Sequence, residues 1–474
     1  MLTKAPRVGN TVLAGNAGER TIFDPFDGSI VGKLRYADAA EMLEAIKVAE
    51  KTFQTTRKQS YQTRSSVLLQ ASALITARRD ELAMMITREC GKPITQSRVE
   101  VDRAAFTFRA ASHAALDPAE IEMLEMPEKL QGTGRTGFYR YFPLGVIAGV
   151  TPFNFPLNLV AHKVAPAIAA GNTIILKPAP QTPFTSFLLT EILQEAGLVA
   201  GALSIVPCEN DVAELLVRDE RVKMLSFTGS ALVGWKLKPL ATKAKVTLEL
   251  GGNGAVIVDG VKDLDALIPT LTASAFNYAG QVCIGLQNLF VKRKYFDAVL
   301  AQMIAFSKQI VVGDPKDEKT SVGSMISSQA AERIETWIAE AIALGGVRHT
   351  GEFRAPNWVT PTILTNVSHD SKLFAEEAFA PTLNIEAFED IEDAFRVVNG
   401  SKYGLQVGLY TSDSAVIERA FEMLELGALI VNDSNSFRID TMPYGGVKDS
   451  GFGREGVRFA MREMSELKLL VTKA

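Results

Sequence analysis

Apolar positions recur at helical spacing from residue 38 onward. Asp38 stands where a cap belongs and Glu41 follows three positions later, with Met42, Leu43, Ile46, Ala49 and Phe53 as the expected buried stripe. The same spacing predicts helices over 62–79 and 95–114. The stretch QGTGRTGFYRYFPLGVIAGV then changes period, and its glycines, aromatics and β-branched residues predict a hairpin feeding a buried strand. Beyond it, short apolar runs alternate with helical ones. LVAHKVAPAIAAG reads as a helix closed by Gly171 and NTIILKP as a strand stopped by Pro178. QTPFTSFLLTEILQEAG reads as helix, ALSIVP as strand, and VKMLSFTGS as a strand turning into the helix ALVGWKLKPLA. Such alternation predicts a parallel sheet covered on both faces. A second alternation starts near KVTLELGGNGAVIVDG and runs to about residue 440, so two α/β units are expected. The tail SELKLLVTKA reads as one more strand, pairing with the hairpin or with another subunit.

A length of 474 residues exceeds one compact core, in keeping with two or three folding units. Hydrophobic residues at 47% and charged residues at 22% are the balance of a soluble globular protein, and a net charge of -4 argues against nucleic acid or an anionic membrane as the main partner. No apolar run approaches the roughly 18 residues of a membrane span, and the N-terminus lacks a secretory pattern. Cys90, Cys208 and Cys283 are an odd, sparse set that does not form a disulfide framework, so a cytoplasmic location is expected. The four histidines, His113, His162, His349 and His369, do not stand at metal-ligand spacing with them, and no metal is expected.

Several polar residues sit where chemistry is possible. Cys283 lies beyond the helix expected over 264–279 and behind Gly280; it is either a buried structural thiol or, with a base nearby, a nucleophile. Glu249 ends a strand before Gly251 and Gly252, as a solvated turn residue or as a carboxylate turned into a cleft. Gly229 and Ser230 precede a helix N-terminus where a pyrophosphate can rest, although an ordinary strand-to-helix turn has the same pattern. Lys177 ends a parallel strand, the edge at which doubly wound sheets bind ligands. In TPFNFPLNL, Asn154 and Asn158 sit among apolar residues, and a buried amide without a partner costs about 1 to 3 kcal/mol. Pro152 and Pro156 hold that segment extended and stiff.

Taken in order, TPFNFPLN, LKPAPQTP, SFTGS, LELGGN, GQVC, EEAFAP and MPYGGVKDSGFGREG resemble the aldehyde dehydrogenase superfamily over nearly the whole chain. The interval from Glu249 to Cys283 is also the one usual in that family. The resemblance implies two doubly wound α/β domains, Rossmann-like and catalytic, plus a small β oligomerisation arm. Their expected extents are 1–127 with 148–248 for the NAD(P)-binding domain, 249–462 for the catalytic domain, and 128–147 with 463–474 for the arm.

It further implies that Cys283 attacks the aldehyde to form a thiohemiacetal, that hydride leaves for a nicotinamide, and that Glu249 activates water against the resulting thioester. Members that pass the acyl group to coenzyme A lack this glutamate, so a free acid is the expected product. Asn154 matches the oxyanion donor beside the Cys283 backbone N–H. Thr151, Pro152, Phe153, Lys177, Pro180, Gly229, Ser230, Glu377 and Phe379 match cofactor-binding positions.

Pro180 stands where NAD-preferring members often carry a glutamate, so both NAD and NADP are expected, with NAD slightly favoured; Glu209 and Asp211 are either solvated loop carboxylates or a restored discrimination against NADP. Arg103, Phe155, Gln287 and Arg438 are the expected substrate residues. An arginine in the pocket suits a short polar or anionic aldehyde: lactaldehyde, glyceraldehyde, a semialdehyde, or a sulfonated or phosphonated analogue. A homodimer or homotetramer is expected. The alternatives are a cofactor-independent cysteine hydrolase or acyltransferase, and a non-catalytic structural oligomer on the same fold.

Overall fold

Five strands lie parallel at the centre of the first large sheet, in the order 245–249, 222–228, 146–150, 173–177, 203–205. They are short and almost wholly buried, as a sheet covered on both faces requires. Antiparallel strands close both edges: 451–452 beside 245–249, and 7–8 with 11–12 beyond 203–205. This computed structural model describes residues 2–117, 122–127, 129, 131–354 and 356–473.

The second sheet is also parallel through its centre, in the order 362–365, 382–388, 288–292, 255–258, 406–410, 428–431, with 347–348 antiparallel at one edge. Each sheet has its own apolar core. A third sheet pairs 135–143 with 465–473 over nine residue pairs, and with 122–124 on its other side. No helix among the described residues is long and apolar enough to cross a membrane.

The fold class is the expected one, and the particulars differ in instructive ways. The helix Ala39–Thr56 is closed by the Asp38–Glu41 capping box, and Met42, Ala45, Ile46, Ala49 and Phe53 are buried. Leu43 is not, at 47% exposure. It stands one residue, about 100° of turn, past Met42, which takes it off the buried stripe. The helices expected over 62–79 and 95–114 run Tyr61–Ala77 and Ile94–Leu116, and an unforeseen helix, Arg79–Cys90, lies between them.

The expected hairpin is divided. Pro143 ends the arm strand, whereas Val146 begins a central strand of the first sheet, so 135–143 pairs with the tail and with 122–124. Residues 128, 130 and 474 of the expected arm, and Met1, lie outside the described residues.

The span 249–462 does not stay with the second sheet throughout. Glu249 belongs to a strand of the first sheet, strand 451–452 joins that same sheet, and helix Val457–Glu463 packs on helix Asn158–Ala170. The chain therefore crosses back before residue 451. That return carries residues 432–456 past the Glu249 strand end, where the two sheets meet.

Candidate functional site

Cys283 is presented by a backbone turn that ordinary residues avoid. Helix Leu264–Phe276 stops short of the expected 279, and Tyr278, Ala279 and Gly280 follow in the left-handed region at φ of 53°, 52° and 67°. Non-glycine residues there cost about 1 to 3 kcal/mol each and persist only where neighbours over-determine them. The neighbours here are specific. Tyr278 donates its hydroxyl to Cys90 O at 3.2 Å, and Gln281 Oε1 accepts from Ile326 N–H at 2.9 Å. A Cβ on Gly280 would stand 2.0 Å from Ala380 O, so only glycine lets the two loops touch. Asn154 completes the brace, donating its amide to Gln281 O at 3.0 Å. Its buried amide thus has an internal partner, leaving one N–H uncommitted beside the cysteine loop.

The three thiols are chemically distinct. Burial pushes Cys90 and Cys208 up to about 12. Burial also raises Cys283, but a hydroxyl reaches its sulfur: Tyr444 Oη lies 3.1 Å from Sγ.

Glu249 faces the same place from the other sheet. It is 2% exposed, and neither carboxylate oxygen has a hydrogen-bond partner among the described residues. Burial, with Glu455 nearby, holds its pKa well above the carboxylate range against the opposing charges of Arg438, Lys163 and Arg454. An unpartnered, buried carboxylate is a standing cost to the fold and a ready proton acceptor. The glycines after Tyr444 make room for it, since a Cβ on Gly445 would stand 3.0 Å from Glu249 Oε1.

Behind these groups lies an ion network absent from the sequence reading. Lys163 Nζ reaches Glu455 at 3.0 Å and Ser226 Oγ at 3.1 Å. Burial would raise Glu455, yet Lys163, His162 and Arg438 together bring it down to about 2. Asp440 accepts from Arg103, from Asn158 Nδ2 at 3.0 Å, and pairs with His162 Nε2 at 2.9 Å. Asn158, at the start of the helix, thus makes internal hydrogen bonds. The MPYGG and GREG segments were visible in the sequence, but nothing in their spacing told which sheet they return to.

Two expected substrate residues have other partners. Gln287 donates to Leu373 O and Glu376 O and accepts from Ala378 N–H, so its amide braces the 373–378 segment and has nothing left for a ligand. Arg438 is buried: its side chain is 6% exposed and lies over the Tyr444 ring at 3.6 Å. Arg103 and Phe155, by contrast, both line a cavity of about 730 Å³. Its walls include Gln96, Asn277, Ser434, Ser436 and Val282, the residue before Cys283. Phe155 packs edge-on to Tyr278 at 6.3 Å.

The expected cofactor residues of 151–230 lie along the carboxyl ends of the first sheet's strands, whereas Glu377 and Phe379 come from the loop before strand 382–388 of the second sheet. Thr151 N–H donates to Lys177 O at 3.3 Å, tying two strand ends together, with Pro152 and Phe153 following. Phe153 meets Phe379 edge-to-face at 5.8 Å. Lys177 is 5% exposed, burial lowers its pKa, and its ammonium has no hydrogen-bond partner among the described residues. Such a group fits ribose hydroxyls or a phosphate. Cys208 and Glu209 stand near it, and Glu209 is paired with Arg20 at 2.8 Å. Pro180 and Ser230 are exposed, and Gly229 N–H donates to Glu249 O at 3.0 Å. Glu377 accepts from Gly252 N–H at 3.2 Å, and burial pushes its pKa up to about 7.

Residues 13–470 match the model of the aldehyde dehydrogenase family. The 3-sulfolactaldehyde dehydrogenase of Priestia aryabhattai is 41% identical over 411 residues, 86% of either chain. Aldehyde dehydrogenase 21 of Physcomitrella patens, solved with its product succinate, superposes with a TM-score of 0.97 at 38% identity over 99% of this chain and 98% of that one. The glyceraldehyde-3-phosphate dehydrogenase of Methanocaldococcus jannaschii, solved with NADP, gives 0.92 at 36% identity over 96% and 99%. The chain belongs to the aldehyde dehydrogenase family and is a nicotinamide-dependent member of it.

Proposed function

We propose that this enzyme oxidises a short aldehyde with a polar or anionic tail to the free acid, and that Arg103 reads the tail. The observation that carries the substrate class is the placement of Arg103: its guanidinium lines the cavity that runs to Val282, one residue from the thiol. Serine, asparagine and glutamine side chains share that wall, which suits a hydrated tail rather than a long alkyl chain. The three relatives support the class, since sulfolactaldehyde, the precursor of succinate and glyceraldehyde 3-phosphate are all anionic.

Cys283 is the nucleophile in this reading, adding through sulfur to the carbonyl carbon. The second N–H of Asn154 and the Cys283 backbone N–H receive the developing oxyanion, and Asn154 needs no reorganisation because Gln281 already holds it. Phe153, Glu377 and Phe379 would hold a nicotinamide, which would supply the hydride acceptor. Lys177 would hold the adenosine ribose, with Gly229 and Ser230 along the pyrophosphate. Glu249 then draws a proton from water as it attacks the thioester.

NAD is the favoured nucleotide, because the Glu209 carboxylate stands near Lys177 where a 2′-phosphate would have to enter. The strand 465–473 lies at the free edge of the arm sheet with Leu467, Leu469, Leu470 and Val471 exposed, which supports a homo-oligomer built through the arm.

The direct test is a panel of small aldehydes assayed at about 340 nm with NAD and then NADP. Sulfonated, carboxylated and hydroxylated aldehydes should exceed propanal in kcat/KM. Equal efficiency for hexanal and the anionic aldehydes would overturn the substrate class, and loss of turnover with retained nucleotide binding is expected of Cys283→Ser.

A further inference from the structure

Tyr444 is the residue whose side chain reaches the sulfur of Cys283, at 3.1 Å, and its hydroxyl has no other hydrogen-bond partner among the described residues. Either atom can donate while the thiol is neutral. Once the sulfur has lost its proton, only the hydroxyl has a hydrogen to give. The opposite face of the site is hostile to that charge, because Glu249 and Glu377 both bear on the sulfur and burial disfavours the thiolate. Tyr444 and Arg438 are the groups facing Cys283 that act the other way.

Arg438 is placed for the ring more than for its anionic partner. Its guanidinium carbon lies 3.6 Å from the centre of the Tyr444 ring. Its contacts to Glu455 and His162 are each 3.4 Å, at the long limit of hydrogen bonding, and its Nε is buried with no partner. A cation on the ring face stabilises electron density pushed into the phenol, which makes the hydroxyl a stronger donor. Burial and the neighbouring Cys283 and Glu249 oppose ionisation of the phenol itself, so it keeps its proton and donates.

We propose that Tyr444 is a catalytic residue that holds and stabilises the Cys283 thiolate through its hydroxyl, and that Arg438 is the positioning residue that strengthens it from beneath the ring. The proposal rests on the reading of Cys283 as nucleophile. It accounts for a buried arginine stacked on the Tyr444 ring, and for a tyrosine at a position where a phenylalanine would fill the same space. Tyr444 also stands next to Gly445, which closely approaches Glu249. The same segment therefore orients the thiol beside the base.

The first readout needs neither aldehyde nor nucleotide. The full-length protein is alkylated with iodoacetamide across a pH series, and modification of Cys283 is followed by mass spectrometry. Tyr444→Phe keeps the ring and its packing, so its melting temperature should stay near that of the parent. Its alkylation midpoint should rise by about one pH unit, with roughly tenfold slower alkylation at neutral pH. Arg438→Met should shift the midpoint in the same direction, and Arg438→Lys should recover part of the shift. Because Arg438 acts through the tyrosine, the double variant should move little beyond Tyr444→Phe alone. An unchanged midpoint in Tyr444→Phe, with Cys283 still alkylated, overturns the proposal and leaves the nucleophile reading intact. Fully additive shifts overturn the coupling of Arg438 to Tyr444. Aldehyde turnover that persists after complete alkylation of Cys283 overturns both readings.

Discussion

Arg103 grips Asp440 with two hydrogen bonds, Nη2 to Oδ1 at 2.6 Å and Nε to Oδ2 at 3.1 Å, across 337 positions of chain. Asp440 keeps His162 and Asn158 as further partners, so it remains satisfied if the arginine is lost. Arg103 itself is 28% exposed in its side chain, on the cavity wall. Asp440 therefore fixes the guanidinium while one edge stays free for a ligand. A hydrogen bond to a charged group contributes about 1.5 to 3 kcal/mol, so Arg103→Met should raise KM for a sulfonated or carboxylated aldehyde by about tenfold or more. KM for propanal should change little. Steady-state kinetics on both substrates check this, and parallel losses would remove Arg103 as the reader of the tail.

The unpartnered carboxylate of Glu249 makes a prediction about stability. Its pKa in the fold lies well above the ordinary 4.5. Below about 4.5 both folded and unfolded chains hold the proton. Above that, the unfolded chain releases it first, and stability falls as pH rises through the folded-state value. Glu249→Gln removes this penalty, so the variant should melt higher than the parent at pH 8 and equally at pH 4. It should also lose nearly all steady-state turnover while still releasing a first equivalent of reduced nucleotide. Melting curves at the two pH values, with a rapid-mixing burst assay, measure both. A lower melting temperature at pH 8 would show that Glu249 has a stabilising partner in solution.

Much of this was legible in the residues because the signals were local. The Asp38–Glu41 box, the strand ended by Lys177 and the Cys283 loop each announce themselves within a few positions. What stayed hidden depends on where distant segments meet. Gln287 was expected to face the substrate, yet its amide is turned toward the 373–378 segment. Arg438 was expected among the substrate residues, and the return of the chain to the first sheet stacks it over Tyr444. Lys163 sits in a mostly apolar helix, and its ion-pair partner Glu455 lies 292 positions later. Hydrophobic period specifies which face is buried, and it is silent on which buried polar groups will find each other.

Glu209 offers a test of cofactor choice. Its carboxylate is half exposed, paired with Arg20 at 2.8 Å, and close enough to Lys177 to act on its ionisation. On the proposed reading of Lys177 as the ribose contact, a 2′-phosphate there would face that carboxylate. In Glu209→Ala the repulsion is gone and Arg20 is freed to pair with phosphate. KM for NADP should then fall by about tenfold, which is about 1.4 kcal/mol, while KM for NAD rises slightly. Titrations with both nucleotides decide the matter; an unchanged NADP to NAD ratio would place Glu209 outside the recognition site.

Glu100 carries the last prediction, because it joins the substrate wall to the Asn154 segment. Lys92 is 1% exposed and pairs with Glu100, its ammonium lying 3.7 Å from the Phe155 ring centre and 4.5 Å from that of Tyr278. The other Glu100 oxygen accepts from Leu157 N–H at 2.8 Å and Asn158 N–H at 3.1 Å, closing the start of the helix that follows Asn154. Glu100→Ala leaves a buried ammonium without its counter-charge and two backbone donors without an acceptor. Breaking a buried pair in this way costs about 3 to 5 kcal/mol. Adding Lys92→Met should restore much of the stability, since the stranded charge is then gone. It should not restore kcat, because the helix start and Asn154 remain loosened and an oxyanion donor must be held in place before the reaction. Denaturant unfolding and steady-state kinetics on the single and double variants separate the two effects. Recovery of both stability and kcat together would mean that the stranded Lys92 ammonium, and not the lost grip of Glu100 on Leu157 and Asn158, displaces Asn154 in the single variant.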